Sequence, residues 1–473
     1  MTRAAAIRLL LALLGVGLGA CHGTLYDAAG VPALVTGTTC GVGTHDCGNG
    51  CVAVNDLAAC GTSCQVCSAT SPKLPVCDLG LSQPCTYTCP AGQLVCPSGC
   101  CQAKAVAAGQ AHACAITDPD GSLVCWGANN HGQLGPGVVG ATSTRPAQVF
   151  ASGVTAVAAG GRHTCAVHAG EVVCWGDDAV GQLGNGATST GTATPVATGV
   201  SGATALALGD AHSCALVAAG VTCWGANGSG QLGQGDTAPH PTTRSTPIAS
   251  GATALAAAAD TTCAAVGTSV HCWGADESGQ VGAGAGPVTR PPQPTPIAVA
   301  GLPAVAAVSL AVGHHHACAA FDQPSGLWCW GANDLGQLGT GAAGAASPSP
   351  VQASKLDNTT RSILVAAGDG HTCSSKALAP PELICAGRND LQQAGAASPS
   401  PALEGLAVAP GGNLVPGPSS TVAGADFTCA LVDVGAGTPQ VGVKCWGGNA
   451  SGQLGRNTVP AGDPAGTPEF ITP

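Results

Sequence analysis

The chain reads as short apolar runs of small residues, broken at close intervals by glycine and proline. "TALALG" before Asp210 and "VTAVAAG" before Gly161 either alternate or run continuously small and apolar. That is a strand pattern, with a repeat of two residues rather than 3.6. "HTCAVHAGEVVCW", from His163 to Trp175, places two such runs around Ala169-Gly170. A two-residue connection with glycine where positive φ is tolerated predicts a hairpin. "TPVATGV" and "STPIASG" predict a further strand led in by proline.

Nearly the same phrase is written seven times. It begins at His112, His163, His212, Thr261, His316, His371 and Phe427, and its first cysteines are Cys114, Cys165, Cys214, Cys263, Cys318, Cys373 and Cys429. Successive copies are 49 to 56 residues apart. A period of about 50 residues is propeller-like, whereas helical repeats are mostly shorter and need a 3.6-residue apolar period. An apolar strand, a hairpin and a proline-led strand give each copy about four short strands, the content of one blade.

The recurring residues, H-T/S/A-C-A followed by C-W-G-x-N-x-x-G-Q-L-G, resemble the repeat of the regulator of chromosome condensation family over residues 103–473. The resemblance implies an all-β fold, a seven-bladed β-propeller. The sixth copy departs from the pattern. Ala386-Gly387 stands where Trp-Gly is expected and Gln393-Ala394-Gly395 replaces the usual ending, which predicts a less regular blade. The fourth and seventh copies lack the leading histidine. A ring must close, because an open propeller would leave exposed sheet edges. The first copy has no Thr-Pro strand ahead of it and the chain ends "GTPEFITP". The expectation is that a strand around Glu469–Ile471 completes the first blade.

Composition fits thin, tightly stacked strands: 72 glycines, 8% charged and 3% aromatic residues. The net charge of −11 comes from 14 basic against 25 acidic side chains with no basic cluster, so nucleic acid is not an expected partner. At the N-terminus, Arg3 and Arg8 precede an apolar run from Leu9 to Leu18, which is too short to span a bilayer and has signal-peptide proportions. It ends "LGAC", which looks like a bacterial lipobox with Cys21 as the lipidated residue. The alternative is an ordinary signal peptide cleaved at small residues. The resulting division is a signal segment at 1–20, a lipidated tether at 21–39, a cysteine-rich module at 40–101 and the repeats at 103–473. The expected location is the bacterial cell envelope.

Of 27 cysteines, one is Cys21, twelve lie between Cys40 and Cys101, and fourteen lie in the repeats. Without the lipid-bearing one, both remaining sets are even, and a chain exported from the cytoplasm can oxidise them. Centring the turn on Ala169-Gly170 puts Cys165 opposite Cys174, with Cα atoms ~4.5–5.5 Å apart and within disulfide reach. The same separation pairs Cys214 with Cys223 and Cys263 with Cys272. In longer hairpins the aligned partners are Cys114 and Cys125, Cys318 and Cys329, Cys373 and Cys385, and Cys429 and Cys445. Buried free thiols are the alternative. Cys64-Gln65-Val66-Cys67 also has a zinc-binding spacing, although disulfides are favoured outside the cytoplasm.

Catalytic signatures are missing: there is no G-x-S-x-G, H-E-x-x-H or G-x-x-x-x-G-K-[ST]. No cofactor is implied and the reading is of a non-enzyme. His112, His163, His212, His316 and His371 hold equivalent places in different blades. They read as structural groups bonding the backbone of their own blade, and His314-His315-His316 is a local metal candidate. What varies between copies is the loop after Trp-Gly. The candidate binding face is therefore Asn129, Asn130, Asp177, Asp178, Asn227, Asp276, Glu277, Asn333 and Asp334, constant bricks carrying changing decoration. The expected function is an envelope-anchored binding protein whose partner is a protein or an envelope component. Some bacterial members of the family are β-lactamase inhibitory proteins. The family resemblance also implies guanine-nucleotide exchange as an alternative, and an extracellular hydrolase or lyase stands third.

Overall fold

The computed structural model describes residues 93–96 and most of 99–471 apart from short gaps, with four short strands between residues 44 and 87. The signal segment, Cys21, the tether and the Cys64–Cys67 motif lie outside the described residues. Two compact units emerge: Met1–Pro90 with Pro97–Cys100, and Ala91–Cys96 with Cys101–Pro473. In the first, Thr44–Asp46 pairs with Cys51–Ala53, and Pro75–Val76 with Thr86–Tyr87.

The second unit is a seven-bladed β-propeller, and no helix occurs among the described residues. In six blades the strands pair antiparallel in chain order, and in the seventh Asn413–Leu414 and Thr421–Ala423 both pair with Phe427–Asp433. Blade two shows the plan with Val154–Ala159, His163–His168, Glu171–Gly176 and Thr192–Ser201. Its central hairpin turns at Ala169 and Gly170, with φ of 52° and 84°. Two successive left-handed residues match the twist of the flanking strands. His168 thereby faces Glu171, and Cys165 faces Cys174. The longer hairpins keep the same opposition, and disulfides join all seven pairs.

The core lies between blades rather than at one centre. Val172 and Leu183 of blade two, for example, pack with Leu208, Ala215 and Trp224 of blade three. Gly184 (φ +68°) allows this approach, since a Cβ there would stand 2.6 Å from the Trp224 indole nitrogen. Among the described residues, blade six keeps four strands, with Cys373 opposite Cys385. Its missing tryptophan is replaced from blade five. Leu356 and Ala353 are fully buried beside Ala386, and Leu356 packs on Gly339, the counterpart of Gly184.

Closure differs from the expectation. The last strand, Ala465–Phe470, pairs within blade seven, with Cys445 opposite Glu469 and Lys444 opposite Phe470. Blade one has its own outer strand, Thr142–Phe150, in which Arg145-Pro146 stands where Thr-Pro stands in blades two, four and seven. Among the described residues, no strand is exchanged between first and last blades. The ring closes by packing instead. Trp126 donates to the Gln453 carbonyl at 2.9 Å. Ile471 and Leu454 bury against Trp126, Val443 and Leu431.

Candidate functional site: the loop face of the ring

The repeated phrase builds two things, a clamp between neighbouring blades and a face around the central channel. The clamp between blades one and two uses four residues. Trp175 and Thr164 of blade two both donate to the Gln133 carbonyl of blade one, at 3.0 and 2.8 Å. His112 Nε2 of blade one lies 2.9 Å from the Thr164 hydroxyl. The same set recurs with His163, Ser213, Trp224 and Gln182, and with His212, Thr262, Trp273 and Gln231. His316 with Thr372 and His371 with Thr428 repeat the contact at 2.7 and 2.9 Å. The histidines are therefore structural, but their partner is a side-chain hydroxyl of the next blade and not the backbone of their own. Where a blade lacks the histidine, the next blade lacks the hydroxyl: Thr261 precedes Ala317, and Phe427 precedes Ala113 around the ring. That pairing of changes was visible in the sequence once copies were compared with their neighbours rather than with a consensus.

The candidate binding residues divide in two. Asn129, Asp178, Asn227, Asp276 and Asn333 are buried. Each accepts, through Oδ1, the backbone N–H five residues on, for example Leu134 N–H at 3.0 Å and Val281 N–H at 3.0 Å. They hold the loop in shape and are withdrawn from the exposed surface. A short polar side chain is the standard means of folding such a turn, so their recurrence signals structure. Asn130, Glu277 and Asp334 are exposed and Asp177 is half-buried, so these remain on the surface.

Sequence reasoning missed the inner loops, which stand beside these turns and end the channel. Each backbone N–H that opens a post-Trp-Gly loop bonds to an inner loop, as Ala226 N–H does to the Ala211 carbonyl and Asp177 N–H to the Arg162 carbonyl. Gln110, Asp210, His314 and Asp369 line a cavity of about 80 Å³ at this mouth. Below it the channel wall is apolar, with valine or leucine from every inner strand, such as Val157, Leu206 and Leu310.

The mouth is acidic. His314 Nδ1 lies 3.7 Å from Asp369 Oδ2 and stacks on His315 at 4.2 Å, and His315 Nδ1 lies 3.3 Å from Glu277. The Asp369 carboxylate beside it raises the pKa of His314. Burial alone would raise Asp369, but His314 outweighs it and holds the carboxyl below its ordinary range. Burial pushes Asp210 up, helped by the charges of Asp369 and Asp260. Burial also raises Asp260, which accepts from Gln231 at 2.6 Å, and Asp426, which accepts from Arg388 at 2.7 Å. The triple histidine does not converge: His316 is buried in the clamp between blades five and six while His314 lines the mouth. Among the described residues, no three His, Cys, Asp or Glu side chains gather closely enough to hold a metal ion.

The family described as regulator of chromosome condensation (RCC1) repeat matches residues 120–167, 269–320 and 325–374, and a second form of the same repeat matches 103–133 and 154–182. The chain carries regulator of chromosome condensation repeats. Solved propellers of this kind share the fold. Prp20p from Saccharomyces cerevisiae is 21% identical over 81% of this chain and 88% of its own, with a TM-score of 0.62. Human WBSCR16 is 18% identical over 74% of this chain and 94% of its own, also with a TM-score of 0.62. Yeast RCC1 (Prp20) bound to Kap60 gives 21% identity, coverage of 74% and 83%, and a TM-score of 0.61. No curated protein matches the chain. The ring shares the RCC1 fold, with the repeat residues spent on blade junctions and the loop face left to vary.

Proposed function

We propose that this RCC1-repeat propeller is an exported, lipid-anchored binding protein that takes a cation-rich protein partner on its loop face. The observation that carries the reading is the acidic mouth. Asp210 and Asp369 line the mouth, Asp260 and the Arg388-paired Asp426 directly follow its lining residues Ala259 and Ala425, and Glu277 and Asp334 act on His315 beside it, on the face that also bears the variable loops. Carboxylates grouped around a concave mouth attract positive charge and steer its approach. Prp20p has been described with its binding to Gsp1p and histones, and yeast RCC1 (Prp20) in complex with Kap60. These precedents support use of the ring as a protein-binding disc. Export rests on the signal-like segment and "LGAC", and the seven disulfides are consistent with it.

The test is capture from envelope extract with the detergent-solubilised full chain, beside a variant carrying Asp210→Asn, Glu277→Gln, Asp334→Asn and Asp369→Asn. A basic partner held by the natural chain and lost by the variant, with the melt unchanged, supports the reading. A partner kept by the variant but lost on deleting residues 40–101 moves recognition to the cysteine-rich module. Turnover of a glycan or peptide substrate replaces the reading with an enzyme. Intact-mass analysis of the N-terminal peptide decides lipidation, and an unmodified Cys21 removes the anchor.

A further inference from the structure

The histidines of the blade clamps carry more than packing. His112, His163, His212, His316 and His371 are fully buried. The hydroxyl that each one meets has a single proton, and the partner Thr or Ser donates it to the glutamine carbonyl at 2.7–3.0 Å. Nε2 must therefore be the donor, and the neutral Nε2–H tautomer is fixed at all five sites. Nδ1, the nitrogen that acid would protonate, is buried without a hydrogen-bond partner in each.

The surroundings do little to accept that charge. His163 is flanked by His112 and His212, so charging one opposes the next. At His212 the Ala259 carbonyl favours the charged form, against a larger cost of burial. Around His316, His371 and His315 oppose protonation while Asp369 and Asp334 favour it, and around His371, Asp369 favours it while Arg388 opposes. Burial dominates everywhere. It lowers His112, His212 and His371 to about 4, and His163 and His316 to about 3.

We propose that these five junction histidines form an acid-release device: the closed clamps bury Nδ1 away from protons, so acid favours the opened junctions that can take them up, and opening of the ring dismantles the loop face. An unfolded histidine takes its proton near pH 6.5, and the folded ones near 3–4. Between those values the unfolded chain binds more protons, so stability falls as pH drops from about 6.5 and is unaffected above it. Each histidine raises the unfolding constant by up to about tenfold per pH unit in that window. Asp178, Asp210, Asp260, Asp276 and Asp426, raised by burial, work in the opposite sense nearer the ordinary carboxylate range, and His314, raised by Asp369, also opposes the five junction histidines. The device does not depend on what the loop face binds, and its test reads unfolding alone.

The experiment is denaturant unfolding of the oxidised full chain between pH 7 and 5. The unfolding constant is expected to rise by about 10³-fold or more from pH 6 to 5, which is uptake of three or more protons per molecule. A smaller uptake overturns the proposal. His163→Gln keeps an amide donor for Ser213 but cannot be charged, and it should lower the uptake by one proton; an unchanged slope also overturns it. Histidine ring resonances of the natural protein provide a readout that needs no variant. Five of the 13 histidines should stay silent down to the pH of unfolding, and ordinary titration of the five buried rings near pH 6.5 would refute the device.

Discussion

Two of the seven blade junctions are built differently from the other five. Between blades one and two, His112 and Thr164 form a buried polar pair, whereas between blades seven and one the same places hold Phe427 and Ala113, both fully buried. Between blades four and five they hold Thr261 and Ala317, and Thr261 turns to the Ala275 carbonyl of its own blade at 3.3 Å. The indole-to-carbonyl bond persists in both, from Trp126 to Gln453 at 2.9 Å and from Trp330 to Gln280 at 2.8 Å. A buried N–H left without an acceptor costs more than a made bond returns, so the histidine and its hydroxyl are kept together or dropped together. The apolar pair shows that the ring does not require the histidine. The indole is the general element of the junction, and the polar pair is an addition to it.

The largest effect should come from removing that general element. Trp224→Ala takes a fully buried indole and its bond to Gln182 out of the junction between blades two and three. A loss of about 3–5 kcal/mol is expected by denaturant titration. The one junction without tryptophan should respond the other way. Leu356 already fills that space in blade five, so Ala386→Trp should overpack it and cost about 1–3 kcal/mol. A stabilising Ala386→Trp would mean that Leu356 leaves the space unfilled.

Next comes the polar pair itself. Thr164→Ala strands the His112 Nε2–H and should cost about 1–3 kcal/mol. Copying the apolar junction whole, as His112→Phe with Thr164→Ala, should recover much of the loss. The double-mutant cycle should show coupling of about 1 kcal/mol or more. Simple addition of the single-variant costs would break the comparison, because the pair would then not be a unit.

The propeller was legible in the sequence because each blade repeats a local pattern, and local patterns are what periodicity reads. The opposition of Cys165 and Cys174 followed from one two-residue turn. Ring closure was not legible. It rests on contacts between Trp126 and Gln453, 327 residues apart, and on an outer strand whose Arg145-Pro146 hides its equivalence to the Thr-Pro strands. The site was half legible. Variation in the post-Trp loops pointed to the face beside the channel mouth, but recurring Asn and Asp looked like decoration when their oxygens were folding the loop. The carboxylates that gather at the channel mouth, Asp210 and Asp369, lie in different blades 159 residues apart, a convergence that only the ring creates.

The smallest expected effects separate the buried from the exposed residue within one loop. Asp276 and Glu277 are adjacent, and the sequence gives no reason to treat them differently. Asp276 Oδ1 accepts from Val281, while its Oδ2 is buried with no hydrogen-bond partner. In the equivalent loop of blade five, the Asn333 amide donates to the Ala342 carbonyl at 3.0 Å. Asp276→Ala should therefore cost about 1 kcal/mol by loss of the bond to Val281. Asp276→Asn should keep that bond, remove a carboxylate that burial raises, and hold or increase stability at pH 7. Glu277→Ala, on the exposed side, should stay within about 0.5 kcal/mol and alter only what the face binds. Equal costs for the two alanine variants would return Asp276 to the surface and undo the division between loop scaffold and loop face.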